Sequence, residues 1–207
     1  MRKNSIILFA VLSVLLTACW NEPEFIDVIE LGARNKVIKL DTHEYGDSTF
    51  SLISNVDYQL EIDGGNDWLV IDEVSAEHIR FSYTANNGFK RSASLILNYK
   101  TLTDVLCVLQ PGLYNERISF SESLVEVPAE GGEYTVDVLT NVQTRDLAFE
   151  VSNGKAVRDV ELSDNRLNFV VPPATSRDTK VYTVTVYTVD GWGERVESVL
   201  KVKQKSK

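Results

Sequence analysis

From about residue 27 onward, apolar and polar positions alternate with a period of two, and no long stretch carries the three-to-four spacing of an amphipathic helix. Val37-Ile38-Lys39-Leu40, Tyr58–Ile62, Ile79–Tyr83, Ser94–Tyr99 and Val181–Tyr187 all read as strands, rich in β-branched and aromatic residues. Turn clusters punctuate them: Asp63-Gly64-Gly65-Asn66, Asn86-Asn87-Gly88, Glu130-Gly131-Gly132, Ser152-Asn153-Gly154 and Asp190-Gly191. Many short strands separated by such turns predict β-sandwiches.

The pattern also repeats at domain scale. Phe50–Ile62 resembles Tyr134–Val151, each running a strand into an Asn-Val pair, Asn55-Val56 and Asn141-Val142. Tyr83–Tyr99 resembles Val171–Tyr187, and Val105–Gly112 resembles Val199–Ser206, each copy closing on Gln110 or Gln204. The offset is 86 residues at the Asn-Val pair and 94 at the glutamine, too long for a solenoid repeat. The predicted organisation is therefore all-β, with one sandwich over 27–112, a break at Pro111-Gly112, and a second sandwich over 116–205.

These residues resemble the BACON domain, the Bacteroidetes-associated carbohydrate-binding often N-terminal module. In the first copy the matching positions are Asn55, Val56, Asp67, Trp68, Leu69, Asn86, Arg91 and Gln110. In the second they are Pro128, Ala129, Glu130, Gly131, Gly132, Asn141, Val142 and Gln204. The second copy departs from the pattern, reading Lys155-Ala156-Val157 where Asp-Trp-Leu is expected. The first departs in GARNKVIKLDTHEYGD, which replaces the Gly-Gly turn. The resemblance implies two tandem immunoglobulin-like sandwiches of about seven strands each and raises carbohydrate binding as a function.

The first residues follow another pattern. Arg2 and Lys3 precede an apolar run of 11 residues, Ile6–Leu16. A bilayer span takes about 20 residues, whereas a secretory signal takes about 7 to 15. Leu16-Thr17-Ala18-Cys19 resembles the lipobox of bacterial lipoproteins, which implies a signal peptide over 1–18 and acylation of Cys19. Several acyl chains hold a protein stably where one gives marginal binding. Residues 19–26 then read as the lipidated cysteine and a tether, with Trp20 suited to a membrane interface. The acidic residues after Cys19 resemble Bacteroidetes surface-export signals, so the expected address is the outer membrane, on either the periplasmic or the cell-surface side.

Composition narrows the function. The net charge is -9, deepening to -11 without residues 1–18, which disfavours nucleic acid. The two cysteines and two histidines form no ligand cluster, so no metal or other cofactor is expected. Catalytic motifs are missing: there is no Gly-x-Ser-x-Gly, phosphate loop or dinucleotide fingerprint. His43 and His78 read as isolated surface or strand residues, and Cys107 as a buried apolar residue.

Sugar recognition needs exposed aromatic faces beside polar groups. Trp68, in DWLVID, reads mainly as core, in a strand apolar on both faces because Trp68 pairs with Val70 and Leu69 with Ile71. Trp192 lies at the tip of a predicted hairpin, Asp190-Gly191-Trp192-Gly193. With Tyr187 and Arg195 it forms the candidate contact patch for a glycan or a protein; the competing reading folds Trp192 back over the sandwich edge. The expected function is a non-enzymatic, lipid-anchored lipoprotein that binds glycan in a polysaccharide-use system. The alternative is a spacer or assembly subunit with outer-membrane protein partners and no sugar affinity.

Overall fold

The structure, a computed structural model, describes residues 28–152, 154 and 156–207. The expected signal peptide over 1–18, Cys19 and the expected tether lie outside the described residues. Residues 28–30 carry no regular structure, and Leu31–Lys207 form one compact unit. Among the described residues no helix is long and apolar enough to cross a membrane.

The first eight strands are β1 (Leu31–Ala33), β2 (Val37–Lys39), β3 (Gly46–Ser54), β4 (Gln59–Asp63), β5 (Leu69–Val74), β6 (His78–Tyr83), β7 (Arg91–Tyr99) and β8 (Leu102–Gln110). They make two four-stranded sheets, ordered β1-β3-β6-β5 and β2-β8-β7-β4. The second eight are β9 (Ile118–Phe120), β10 (Leu124–Val127), β11 (Gly132–Thr140), β12 (Ala148–Val151), β13 (Arg158–Ser163), β14 (Arg166–Val171), β15 (Lys180–Val189) and β16 (Arg195–Gln204). Their sheets are β9-β11-β14-β13 and β10-β16-β15-β12, the same order element for element. The chain is thus all-β, two tandem immunoglobulin-like sandwiches.

Among the described residues each half has eight strands, where the resemblance implied about seven. The opening strand is split in two, and its second piece crosses to the other sheet. There β2 runs parallel to β8 and β10 parallel to β16, while all other pairs are antiparallel.

Alternation puts every second side chain inside. Leu95 and Leu97 of β7 and Leu106 and Val108 of β8 line the inner face of one sheet, in a core with Phe50, Ile79 and Phe81 from the other. Val184 and Val186 of β15 join Leu200 and Val202 of β16, with Leu167 and Phe169, in a second core. Burying one such side chain stabilises by about 1.5–3 kcal/mol.

The paired motifs have matching local roles. Ser54 Oγ accepts from Val56 N at 3.3 Å, and Thr140 Oγ1 accepts from Val142 N at 3.0 Å, which closes the turn after β3 and after β11 alike. Gln110 and Gln204 are both buried. Their amides donate to Thr84 O at 2.9 Å and Pro172 O at 2.8 Å, stitching the last strand of each half to the opposite sheet.

One expectation fails at β5. Val70 is 58% exposed. Trp68 lies in the turn ahead of the strand, with Trp68 N and Leu69 N both bonded to Gly65 O, so it does not share a strand face with Val70.

Candidate functional site

The β15–β16 connection is built by Asp190. Its backbone N donates to Glu194 O, and Gly193 N donates back to Asp190 O, both at 2.9 Å. Its Oδ1 accepts from Trp192 N and Glu194 N, also at 2.9 Å each. Gly193 takes φ +82°, a left-handed conformation that glycine adopts without strain. The result is a rigid turn with Trp192 at its tip.

That tip is not presented to solvent as an open platform. Trp192 Nε1 donates to Arg91 O at 3.3 Å and Gln110 O at 3.2 Å, the facing residues where β7 meets β8 in the first half. The ammonium groups of Lys39 and Lys90 lie 4.1 and 4.8 Å from the centre of the indole ring. Lys90 Nζ also reaches Asp190 Oδ2 at 2.8 Å, and the Asp190 side chain is 0% exposed. A Cβ at Gly191 would overlap the Lys90 carbonyl, so the approach requires glycine. The turn of the second half is a plug seated on the first.

Charge supports the seat. Burial acts to raise the Asp190 pKa, but the Lys90 hydrogen bond and the N–H groups of Glu194 and Trp192 outweigh it and leave the carboxyl below its ordinary value. The hydrogen bond to Asp190 raises Lys90 against the opposing effect of burial.

The linker is fixed at both ends. Buried Asn86 donates to Phe89 O at 2.6 Å and Pro111 O at 3.1 Å and accepts from Gly88 N at 3.1 Å. Leu113 N and Tyr114 N bond Asn86 O and Gly88 O. In the second half, Asn141 donates to Asn115 O at 2.9 Å and accepts from Arg117 N at 2.8 Å.

The expected patch of Tyr187, Trp192 and Arg195 therefore divides. Arg195 lies 3.8 Å over the Tyr187 ring. Its guanidinium forks onto Glu150 at 2.9 and 3.1 Å and bonds Glu197 at 2.5 Å. Hydrogen bonding to Arg195 lowers the Glu150 pKa. The Tyr187 face is covered by a cation, and Trp192 is engaged by the first half instead.

Trp68 is 3% exposed. Its Nε1 donates to Gly64 O at 3.2 Å, and Arg91 stacks 4.4 Å over its ring. Arg91 in turn bonds Gln110 Oε1 at 2.8 Å and Thr84 O at 2.9 Å. Arg91 and Gln110 thus receive Trp192, with Trp68 packed against the Arg91 side chain. Sequence reasoning missed Lys39, Lys90 and Asp190 as participants. The one local hint was the pairing of a Gly-flanked aromatic turn with a basic Lys-Arg step in the opposite copy.

Two other groups have nucleophile chemistry. His78 is not isolated: its Nδ1 lies 3.0 Å from Ser75 Oγ and its Nε2 3.3 Å from Glu73. Ser75 Oγ, however, accepts from Glu77 N and His78 N and also bonds His78 O, so its lone pairs close the β5–β6 turn. Burial raises the Cys107 pKa, which disfavours the reactive thiolate.

No family model matches the chain, and no curated protein matches it. Solved structures do. A structure of titin domains Z1Z2 in complex with telethonin is 8% identical, covers 87% of this chain and 94% of its own, and has a TM-score of 0.31. A chimeric titin Z1Z2-Z1Z2 tandem is 11% identical over 86% of this chain and 98% of its own, at 0.40. An endo-fucoidan hydrolase of glycoside hydrolase family 107 is 11% identical over 84% of this chain at 0.32, and this chain spans 28% of it. All three likenesses are distant.

Proposed function

We propose that this chain is a non-enzymatic, lipid-anchored outer-membrane lipoprotein acting as a spacer and protein-interaction subunit, its two BACON-like sandwiches locked into a fixed arrangement. The observation that carries the reading is Trp192. The turn aromatic expected to meet sugar is instead bonded to Arg91 O and Gln110 O and flanked by two ammonium groups. A linker tied down by Asn86 and Asn141 supports the same reading. A spacer needs stiffness more than a cleft, and tandem sandwiches joined by a fixed linker provide it. Glycan binding has less support, because Arg195 covers the Tyr187 face and Trp68 is buried.

The test uses residues 20–207, which contain all sixteen strands and both cores. Small-angle X-ray scattering of this form is expected to fit one arrangement of the halves, and Trp192→Ala is expected to broaden it. Retardation of the parent on a polysaccharide gel, lost in Trp192→Ala, would overturn the spacer reading in favour of sugar binding.

A further inference from the structure

We infer that the Gln204 end of the second half is a docking site for an acidic, aromatic-tipped reverse turn of a partner β-sandwich. This rests on the spacer and interaction reading and names the kind of partner. The argument comes from the internal repeat. In the first half, the facing pair Arg91 and Gln110 receives Trp192. In the second half, the facing pair at the same place is Lys180 and Gln204. The buried glutamine makes the same stitch in each, to Thr84 O and to Pro172 O.

The two ends are closed differently. Trp68 fills the first from below, and Trp192 covers it. In the second, Ala156 and buried Val157 stand where Trp68 and Leu69 stand in the first. What results is a concavity of ≈ 340 Å³ bordered by Ala156, Pro172, Lys180, Tyr182, Gln204 and Lys205. That is near the lower end of ligand-site volumes, about 300–1,000 Å³, and suits one large side chain with its turn.

Charge selects the occupant. Arg158, Lys180 and Lys205 border the concavity with Asp178 as the one carboxylate. The resident turn in the first half brings Asp190 and Glu194 to Lys90 around its indole. A turn of that kind matches a cationic rim with an apolar floor, and buried aromatic anchors carry much of an interface's energy. A sugar ring would need an open aromatic face, whereas Tyr182 packs on the core.

The probe is a backbone-cyclised peptide of residues 187–197, added to isotope-labelled residues 20–207 and followed by NMR. The expected result is saturable shifts at Lys180, Tyr182, Gln204 and Lys205. Ala156→Trp, which fills the concavity, is expected to weaken binding about tenfold or more, as is replacing the peptide's tryptophan by alanine. If Ala156→Trp does not fold, Lys180→Glu with Lys205→Glu serves, with a similar expected loss. No shifts, shifts confined to Lys39, Lys90 and Arg91, or shifts at the concavity from an oligosaccharide and not from the peptide would each overturn the inference. A failed peptide titration with a single scattering arrangement leaves the spacer reading standing; a broadened parent arrangement with a bound peptide removes the spacer reading alone.

Discussion

The same end of the fold occurs twice in this molecule, and the two copies are finished in opposite ways. At the first, an indole from below and an indole from the neighbouring half enclose Arg91 and the Arg91–Gln110 carbonyls. At the second, the strands, the register and the buried glutamine are kept, but alanine and valine replace Trp68 and Leu69 and a concavity with a cationic rim is left. The difference teaches that the sandwich does not need the tryptophan to fold: with Ala156 in its place and Val157, 1% exposed, in that of Leu69, the second core is still closed. Trp68 reaches the docked turn only through Arg91, which lies over its ring and whose carbonyl accepts from Trp192.

Making the first end resemble the second is the most severe way to break the comparison. Trp68→Ala removes a core indole and is expected to destabilise the first half by about 3–5 kcal/mol, read as an earlier denaturant midpoint for that half alone. A shift of both halves by the same amount would mean that the two unfold as one unit and that the ends are not separable.

Next comes the ion pair under the plug. Lys90→Met leaves Asp190 buried without its cation, an expected loss of about 3 kcal/mol, read as undocking in scattering with both cores intact. The same pair sets a pH window. The Asp190 pKa is lowered from 3.8, so its contribution is complete above 3.8 and is lost as pH falls through the depressed value. The Lys90 pKa is raised from 10.5, so its contribution is complete below 10.5 and is lost as pH rises through the raised value. Docking is expected to be flat across neutral pH and to loosen in strong acid before the cores melt. A docking transition centred near neutrality would contradict this account.

Gly191→Ala is expected to cost about 1–3 kcal/mol of docking through overlap with the Lys90 backbone, while an isolated second half keeps its stability. Equal loss in that isolated half would place the strain inside the turn instead. The smallest effect is expected at Arg195→Ala. Its network with Glu150, Glu197 and Tyr187 is exposed, and such pairs contribute little to stability. The expected change is a thermal midpoint within error and unaltered docking.

Much of this fold is legible along the chain because sandwich formation is a local pattern repeated. Period-two alternation marks β7 and β15, and the Asn-Val pairs and terminal glutamines mark equivalent turns and stitches. The split of the opening strand into β1 and β2 was not legible, since three-residue strands carry too few alternations to show a change of sheet. Val70 was misassigned because alternation was extended through Trp68, which belongs to a turn.

What the sequence by itself determined was the class of structure: two copies of one β-sandwich, with the residues that face each core set by their parity. It also marked Trp192 as a residue whose place in a tight glycine-flanked turn called for a partner. The tertiary structure alone decided that partner. Trp192 meets Arg91 and Gln110 across separations of 101 and 82 residues, and Asp190 meets Lys90 across 100. Local patterning reports which way a side chain points from its own strand. Only the packing of one half on the other places a second surface in front of it.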